Sequence, residues 1–205
     1  MAVVVTIENG FAEVGGGSWL MGHGQPAAFR GTAVRRRRKG WRVRDRGSLD
    51  LVETTGAAKC ADSTRPFLTH IPCAEPIFAV SGKVLVAPAS ARKDAYTVKV
   101  IPMSARGALC VTEFSDEWVV TATTGRTARM QVADGETLSV RPEATVAWTG
   151  KRPTGFCPKL SIWDVILPRG PRDLLLTFYG PCLVWIEGTR YQAPNTKHFG
   201  RTYVV

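Results

Sequence analysis

Histidine is scarce in this chain: His23, His70 and His198 are the only three in 205 residues. No two of them stand two or four positions apart. No pair is therefore set on one strand face or one helix face to share a metal ion. Neither a metal centre nor any other cofactor is expected. Cysteine is little better represented. Cys60, Cys73, Cys110, Cys157 and Cys182 are odd in number, widely spaced and form no Cys-x-x-Cys pair. That pattern argues against both a disulfide framework and a zinc ribbon. Cys110 and Cys182 lie inside apolar runs and read as small buried hydrophobes.

Long apolar runs are missing as well. No stretch approaches the ~20 apolar residues of a membrane-crossing helix, so no transmembrane segment is expected. The start, Met1-Ala2-Val3-Val4-Val5-Thr6-Ile7-Glu8, has no basic leader, and Glu8 cuts its apolar run short of a signal core. These features predict a cytoplasmic protein. Helix signals are thin: thirteen prolines run from Pro26 to Pro194, and no window shows a capped 3.6-residue apolar stripe.

Catalytic signatures are lacking too. Gly15-Gly16-Gly17-Ser18 has no phosphate-loop lysine and reads as a turn. Asp116 and Glu117 are adjacent, and on a strand neighbours point to opposite faces, which makes a poor acid–base pair. No serine or cysteine sits in a local nucleophile motif. The expectation is a protein that is not an enzyme and has no catalytic residues.

What the chain does have is alternation. In Thr127–Val132 the side chains Ala128, Met130 and Val132 share one face and Thr127, Arg129 and Gln131 the other, the pattern of a half-buried strand. Asp134-Gly135 follows, a pair suited to a tight hairpin, and Thr137–Arg141 alternates again. Leu174–Tyr179 and Cys182–Ile186 read as fully buried strands separated by a turn at Gly180-Pro181. Further strands are predicted at Val3–Ile7, Leu49–Glu53, Ile77–Val80, Lys83–Ala87, Tyr96–Ile101, Ala108–Phe114, Trp118–Thr123, Thr145–Trp148 and Ser161–Leu167. Loops are predicted at Gly15–Gly24, Ala57–Pro66, Pro88–Asp94 and Gly150–Pro158.

The fold class is all-β, a sandwich or barrel. Residues 1–190 read as a single β-rich domain with a basic protrusion over 30–46, and residues 191–205 as a C-terminal tail. Trp148, Trp163 and Trp185 fall in apolar runs and belong to a core or subunit interface. Trp19 and Trp41, among glycines and arginines, are expected to be exposed.

The formal charge of +10 is local. Nine basic residues and one acid, Asp45, lie between Arg30 and Arg46, and the remaining 18 basic residues nearly balance 16 acidic ones. Val34–Arg44 suits a two-stranded ribbon turning near Lys39-Gly40. It carries Arg35, Arg36, Arg37, Arg38, Lys39, Trp41, Arg42 and Arg44, which together offer guanidinium forks and an aromatic plane to a polyanion. Nucleic acid is the first candidate; an acidic protein or an anionic membrane surface is another. The plain alternative is a solvated, self-repelling edge strand that resists aggregation.

The stretch from Trp118 to Arg190 resembles a known family. The matching blocks are Val120–Gly125, Val132–Val140, Ala144–Thr149, and Leu174-Leu175-Leu176-Thr177-Phe178-Tyr179-Gly180-Pro181 followed by Val184-Trp185-Ile186-Glu187. They are similar to the family named after the mitochondrial protein "altered inheritance of mitochondria twenty-four", widespread in bacteria as a domain of unknown function. Its fold is related to that of the trp RNA-binding attenuation protein. Cys182 stands where bacterial members often have the second glycine of Gly-Pro-Gly. The resemblance implies a double-stranded β-helix or β-sandwich with two pseudo-repeated halves. It also implies self-association into a homo-oligomer, and it supplies no catalytic residues.

Overall fold

A computed structural model describes residues 5–22, 26–36, 49–98, 109–156 and 175–188. Among them every regular element is a β-strand or a short 3-10 turn, and every strand pairing is antiparallel. The fold is all-β. No helix among these residues is long and apolar enough to cross a membrane.

The short strand β1 (Thr6–Glu8) precedes three sets of six. The first set is β2 (Phe11–Val14), β3 (Gly17–Met21), β4 (Pro26–Phe29), β5 (Ala33–Arg36), β6 (Asp50–Thr54) and β7 (Ala58–Cys60). The second is β8 (Phe67–Pro72), β9 (Ile77–Val80), β10 (Val84–Pro88), β11 (Arg92–Val98), β12 (Leu109–Phe114) and β13 (Trp118–Thr123). The third is β14 (Thr127–Val132), β15 (Thr137–Val140), β16 (Thr145–Thr149), β17 (Thr154–Phe156), β18 (Leu175–Tyr179) and β19 (Cys182–Glu187). In each set the first strand pairs with the sixth, the second with the fifth, the third with the sixth and the fourth with the fifth. Consecutive sets are joined through β3–β10 and β9–β16.

Two six-stranded sheets result, ordered β5-β6-β3-β10-β13-β8 and β11-β12-β9-β16-β19-β14. A four-stranded sheet, β1-β2-β7-β4, and a three-stranded one, β15-β18-β17, accompany them. Three cores hold the sheets together. Ile71, Val84, Ala87 and Val119 of one six-stranded sheet meet Ile77, Phe114, Val146 and Trp185 of the other. Trp19, Met21, Leu85, Trp118 and Val120 meet Ala12, Val14, Ala58 and Cys60 of the four-stranded sheet. Val111, Trp148 and Val184 meet Val140, Leu176 and Phe178 of the three-stranded one.

Both six-stranded sheets are thus covered on both sides, which explains why β10, β13 and β16 are buried at every position. In β13, Trp118, Val120 and Ala122 turn to one core and Val119 to the other. Such strands read as continuous apolar runs, as Trp118–Thr123 and Thr145–Trp148 do.

Several sequence expectations need correction. Asp134-Gly135 is not a hairpin between neighbouring strands, because β14 pairs with β19 and β15 with β18. The turn, closed by Glu136 N–H on the Ala133 carbonyl at 3.0 Å with Gly135 at φ +78°, instead carries the chain from one sheet to the next. Gly180-Pro181 does the same on the partner strand, where Gly180 N–H donates to the Glu136 carbonyl at 3.1 Å. Ala128 and Met130 are exposed rather than buried, since β14 is the last strand of its sheet and only Val132 reaches a core.

Trp19 is 1% exposed: its Nε1–H donates to Thr54 Oγ1 at 3.2 Å and its ring packs 5.9 Å from that of Trp118. Asp116 and Glu117 lie in the turn from β12 to β13, with Asp116 at φ +66°, not on a strand. Gly17–Met21, Ala58–Cys60 and Thr154–Phe156 are strands inside segments expected to be loops. Ser161–Leu167, Trp41, Trp163, Cys157 and the tail 191–205 lie outside the described residues.

The sheet-changing corner leaves no room for a side chain at Gly180, whose Cβ would overlap the Ala133 carbonyl oxygen. Gly180→Ala is expected to destabilise the protein by about 1–3 kcal/mol, the range for forced overpacking. Gly135→Ala meets no neighbour and costs only the strain of a positive φ. Urea midpoints of the two variants check the order.

Candidate functional site

The basic segment begins on a sheet edge. β5 pairs with β6 in a fixed register, Ala33 with Thr54, Val34 with Glu53, Arg35 with Val52 and Arg36 with Leu51. On one side Val34–Arg36 is paired with Leu51–Glu53; the expected ribbon, with its turn at Lys39-Gly40 and its second arm Trp41–Arg44, lies outside the described residues. Arg35 and Arg36 lie at the end of a six-stranded sheet. Arg37, Arg38, Lys39, Trp41, Arg42 and Arg44 lie outside the described residues.

A buried ion pair sits elsewhere, and sequence reading missed it. Lys83 lies in the 3-10 turn Ser81–Lys83 between β9 and β10, and Glu187 ends β19. Lys83 Nζ donates to Glu187 Oε2 at 2.7 Å, with side chains 14% and 8% exposed. Glu187 Oε1 accepts the Thr124 N–H at 2.6 Å, the Gly125 N–H at 3.0 Å and the Thr124 hydroxyl. Lys83 also donates to the Glu143 carbonyl. Burial by itself raises the Glu187 pKa. The hydrogen bonds from Lys83 and Thr124, the Lys83 charge and the Gly125 N–H outweigh it and hold the carboxyl below its ordinary value.

Three chain crossings therefore meet at one ion pair: β9 to β10 and β13 to β14 at the Glu187 carboxylate, and β15 to β16 through the Glu143 carbonyl on Lys83. The sequence signal was faint: a charged residue closing the apolar run Cys182–Ile186, with nothing to link it to a lysine 104 positions earlier.

A cleft of about 630 Å³ opens beside β14 and β19. Glu75, Arg129, Gln131, Asp134, Thr149 and Leu183 line it, so its walls carry both signs of charge and amide hydrogen-bonding groups. Cys182 also borders it, but burial raises that thiol's pKa and so disfavours the thiolate. Burial likewise pushes Cys60 up to about 11. In Cys73, burial and the charges of Asp116 and Glu117 push the thiol to about 12.

His70 is exposed on β8, its ring 5.9 Å from that of Trp118, and partial burial lowers its pKa. Among the described residues no three His, Cys, Asp or Glu side chains gather as a metal site would require.

The ion pair sets a stability expectation. Glu187→Gln strands a buried ammonium and should cost on the order of 3 kcal/mol, whereas adding Lys83→Met removes that charge and recovers most of the loss. The depressed Glu187 pKa means its contribution is full above about pH 4.5 and fades as pH falls through the lower folded-state value. Denaturant titrations from pH 7 to 3 should show that acid limb in the parent and a shallower one in Glu187→Gln.

Comparison with known proteins gives a fold relative and no named activity. The sequence matches no family model and no curated protein. A Streptococcus pyogenes protein, solved by crystallography in a structural genomics programme, is similar in structure. The similarity has a TM-score of 0.66 at 13% identity, covering 91% of this chain and 93% of that one. The likeness shows a shared fold.

Proposed function

We propose that this protein is a non-enzymatic, cytoplasmic assembly module that associates with itself. One observation carries the reading. Of the six large apolar side chains exposed among the described residues, four, Ile7, Phe29, Val34 and Met130, lie on strands that end a sheet among those residues, β1, β4, β5 and β14. Phe29 and Val34 are 50% and 52% exposed. Apolar side chains beside unpaired strand edges favour pairing with another chain. The threefold recurrence of one six-strand pairing pattern supports a pseudo-repeated β-helix or sandwich, with three units rather than two halves. Kinship with the altered-inheritance-of-mitochondria family stays part of this proposal, resting on the motifs between Trp118 and Arg190.

Light scattering coupled to size exclusion tests the assembly reading. A dimer or larger species that dissociates on dilution is expected; a monomer at all practical concentrations would contradict it.

A second reading has its own support: the Arg-rich segment starts on β5, the last strand of its sheet among the described residues. Counterion release then predicts that affinity for a labelled RNA falls by roughly 10³ or more between 50 and 200 mM salt. Replacing Arg35, Arg36, Arg37 and Arg38 together by Ser should abolish that binding. Unchanged anisotropy titrations in the quadruple variant would sink this reading.

A further inference from the structure

Strand β14 is the last strand of its sheet, and the direction of its backbone groups follows from two hydrogen bonds. Gly188 N–H donates to the Arg126 carbonyl at 2.8 Å, in line with the β14–β19 register. By antiparallel alternation, Ala128–Ile186, Met130–Val184 and Val132–Cys182 are then the hydrogen-bonded pairs. Leu183 N–H donates to Thr149 Oγ1 at 2.9 Å, on the β16 side, which gives the same alternation. The backbone N–H and C=O groups of Thr127, Arg129 and Gln131 therefore point away from β19, to an edge with no partner strand among the described residues.

The corresponding edges in the other two sets are occupied or blunted. β1 covers β2 by pairing antiparallel over Thr6–Glu8. β8 follows Pro66 and ends on Pro72, and proline weakens an edge as a template. β14 contains no proline and exposes Met130 at 38%. The first set thus shows what this edge accepts, an added antiparallel strand.

We infer that β14 pairs antiparallel with β14 of a second copy, about a twofold axis at Met130. This rests on the self-association reading and gives it a surface. Outward groups must meet outward groups, which leaves few symmetric registers. An axis at Arg129 sets two guanidinium groups opposite each other. An axis at Gln131 sets Arg129 against the partner's Ala133, whose N–H is held by Glu136 Oε2 at 3.0 Å and whose carbonyl already accepts the Glu136 N–H.

An axis at Met130 avoids the first fault and confines the second to the ends, where Thr127 comes opposite the partner's Ala133 and goes unpaired. Arg129 meets the partner's Gln131 and exchanges backbone hydrogen bonds with it, twice by symmetry. Ala128 meets the partner's Val132 and Met130 meets the partner's Met130. Just beyond the strand Arg126 comes opposite the partner's Asp134, and both of these residues are exposed in the single chain. Charge complementarity at both ends and an apolar centre select this register.

The test uses the full chain. Gln131→Pro removes an N–H that makes no backbone bond among the described residues, so the fold should persist while the dimer is lost. Scattering mass should halve, with the circular dichroism spectrum unchanged. Met130→Cys places two thiols in a non-hydrogen-bonded pair, whose Cα separation of about 4.5 Å lies in the disulfide range. Diamide should therefore yield a disulfide-linked dimer on a non-reducing gel. Ala128→Cys should not, since the twofold axis separates the two copies of that residue by roughly 14 Å. If the parent chain is a dimer but Gln131→Pro stays dimeric and Met130→Cys does not cross-link, the β14 interface is overturned while self-association stands. A monomeric parent overturns both.

Discussion

Strands β10, β13 and β16 have no solvent side, and the arrangement of the chain around them follows from that requirement. A sheet buried on both faces needs a cover above and below, and here the cover comes from strands that leave the sheet itself. β3 continues from β2 and β6 into β7, just as β14 runs on into β15 and β18 into β19. Each set of six strands thereby wraps one core and lends strands to the next.

The corners are where this arrangement is most demanding. At Gly16 and Gly56 in the first set and at Gly180 in the third, backbone approaches backbone too closely for a Cβ. Gly125 is held in the same way against the Gly188 carbonyl, beside the carboxylate of Glu187. That carboxylate and Lys83 fasten three crossings with hydrogen bonds that apolar packing has no means to supply. A buried pair of this kind fixes geometry more than it adds stability. Removing one partner is costly because the other charge stays behind.

The fold class was legible because period-2 alternation and frequent proline leave one answer. Trp118–Thr123, Ile77–Val80 and Thr127–Val132 fall on strands with the bounds that their patterns suggest. Pairing was not legible. Asp134-Gly135 looks like a hairpin turn in any local window, and only the position of Cys182–Glu187 in space makes it a corner. Trp19 looked exposed because its neighbours are glycines, yet those glycines form the bend that folds it inward. Phe11–Val14 went unread although Asn9-Gly10, both at positive φ, marks a tight hairpin before it. The Lys83–Glu187 pair bridges too many residues for local pattern to reveal, and the edge of β14 is defined by what does not pair with it.

Because each six-stranded sheet is assembled from two sets, no set can unfold without exposing a core of its neighbour. Amide hydrogen exchange as a function of low denaturant measures this directly. Amides in β3, β10 and β13 and those in β9, β16 and β19 should converge on one common opening free energy, the global one. Convergence of the two sheets on clearly different values would show that they open separately and would contradict the interlocked core.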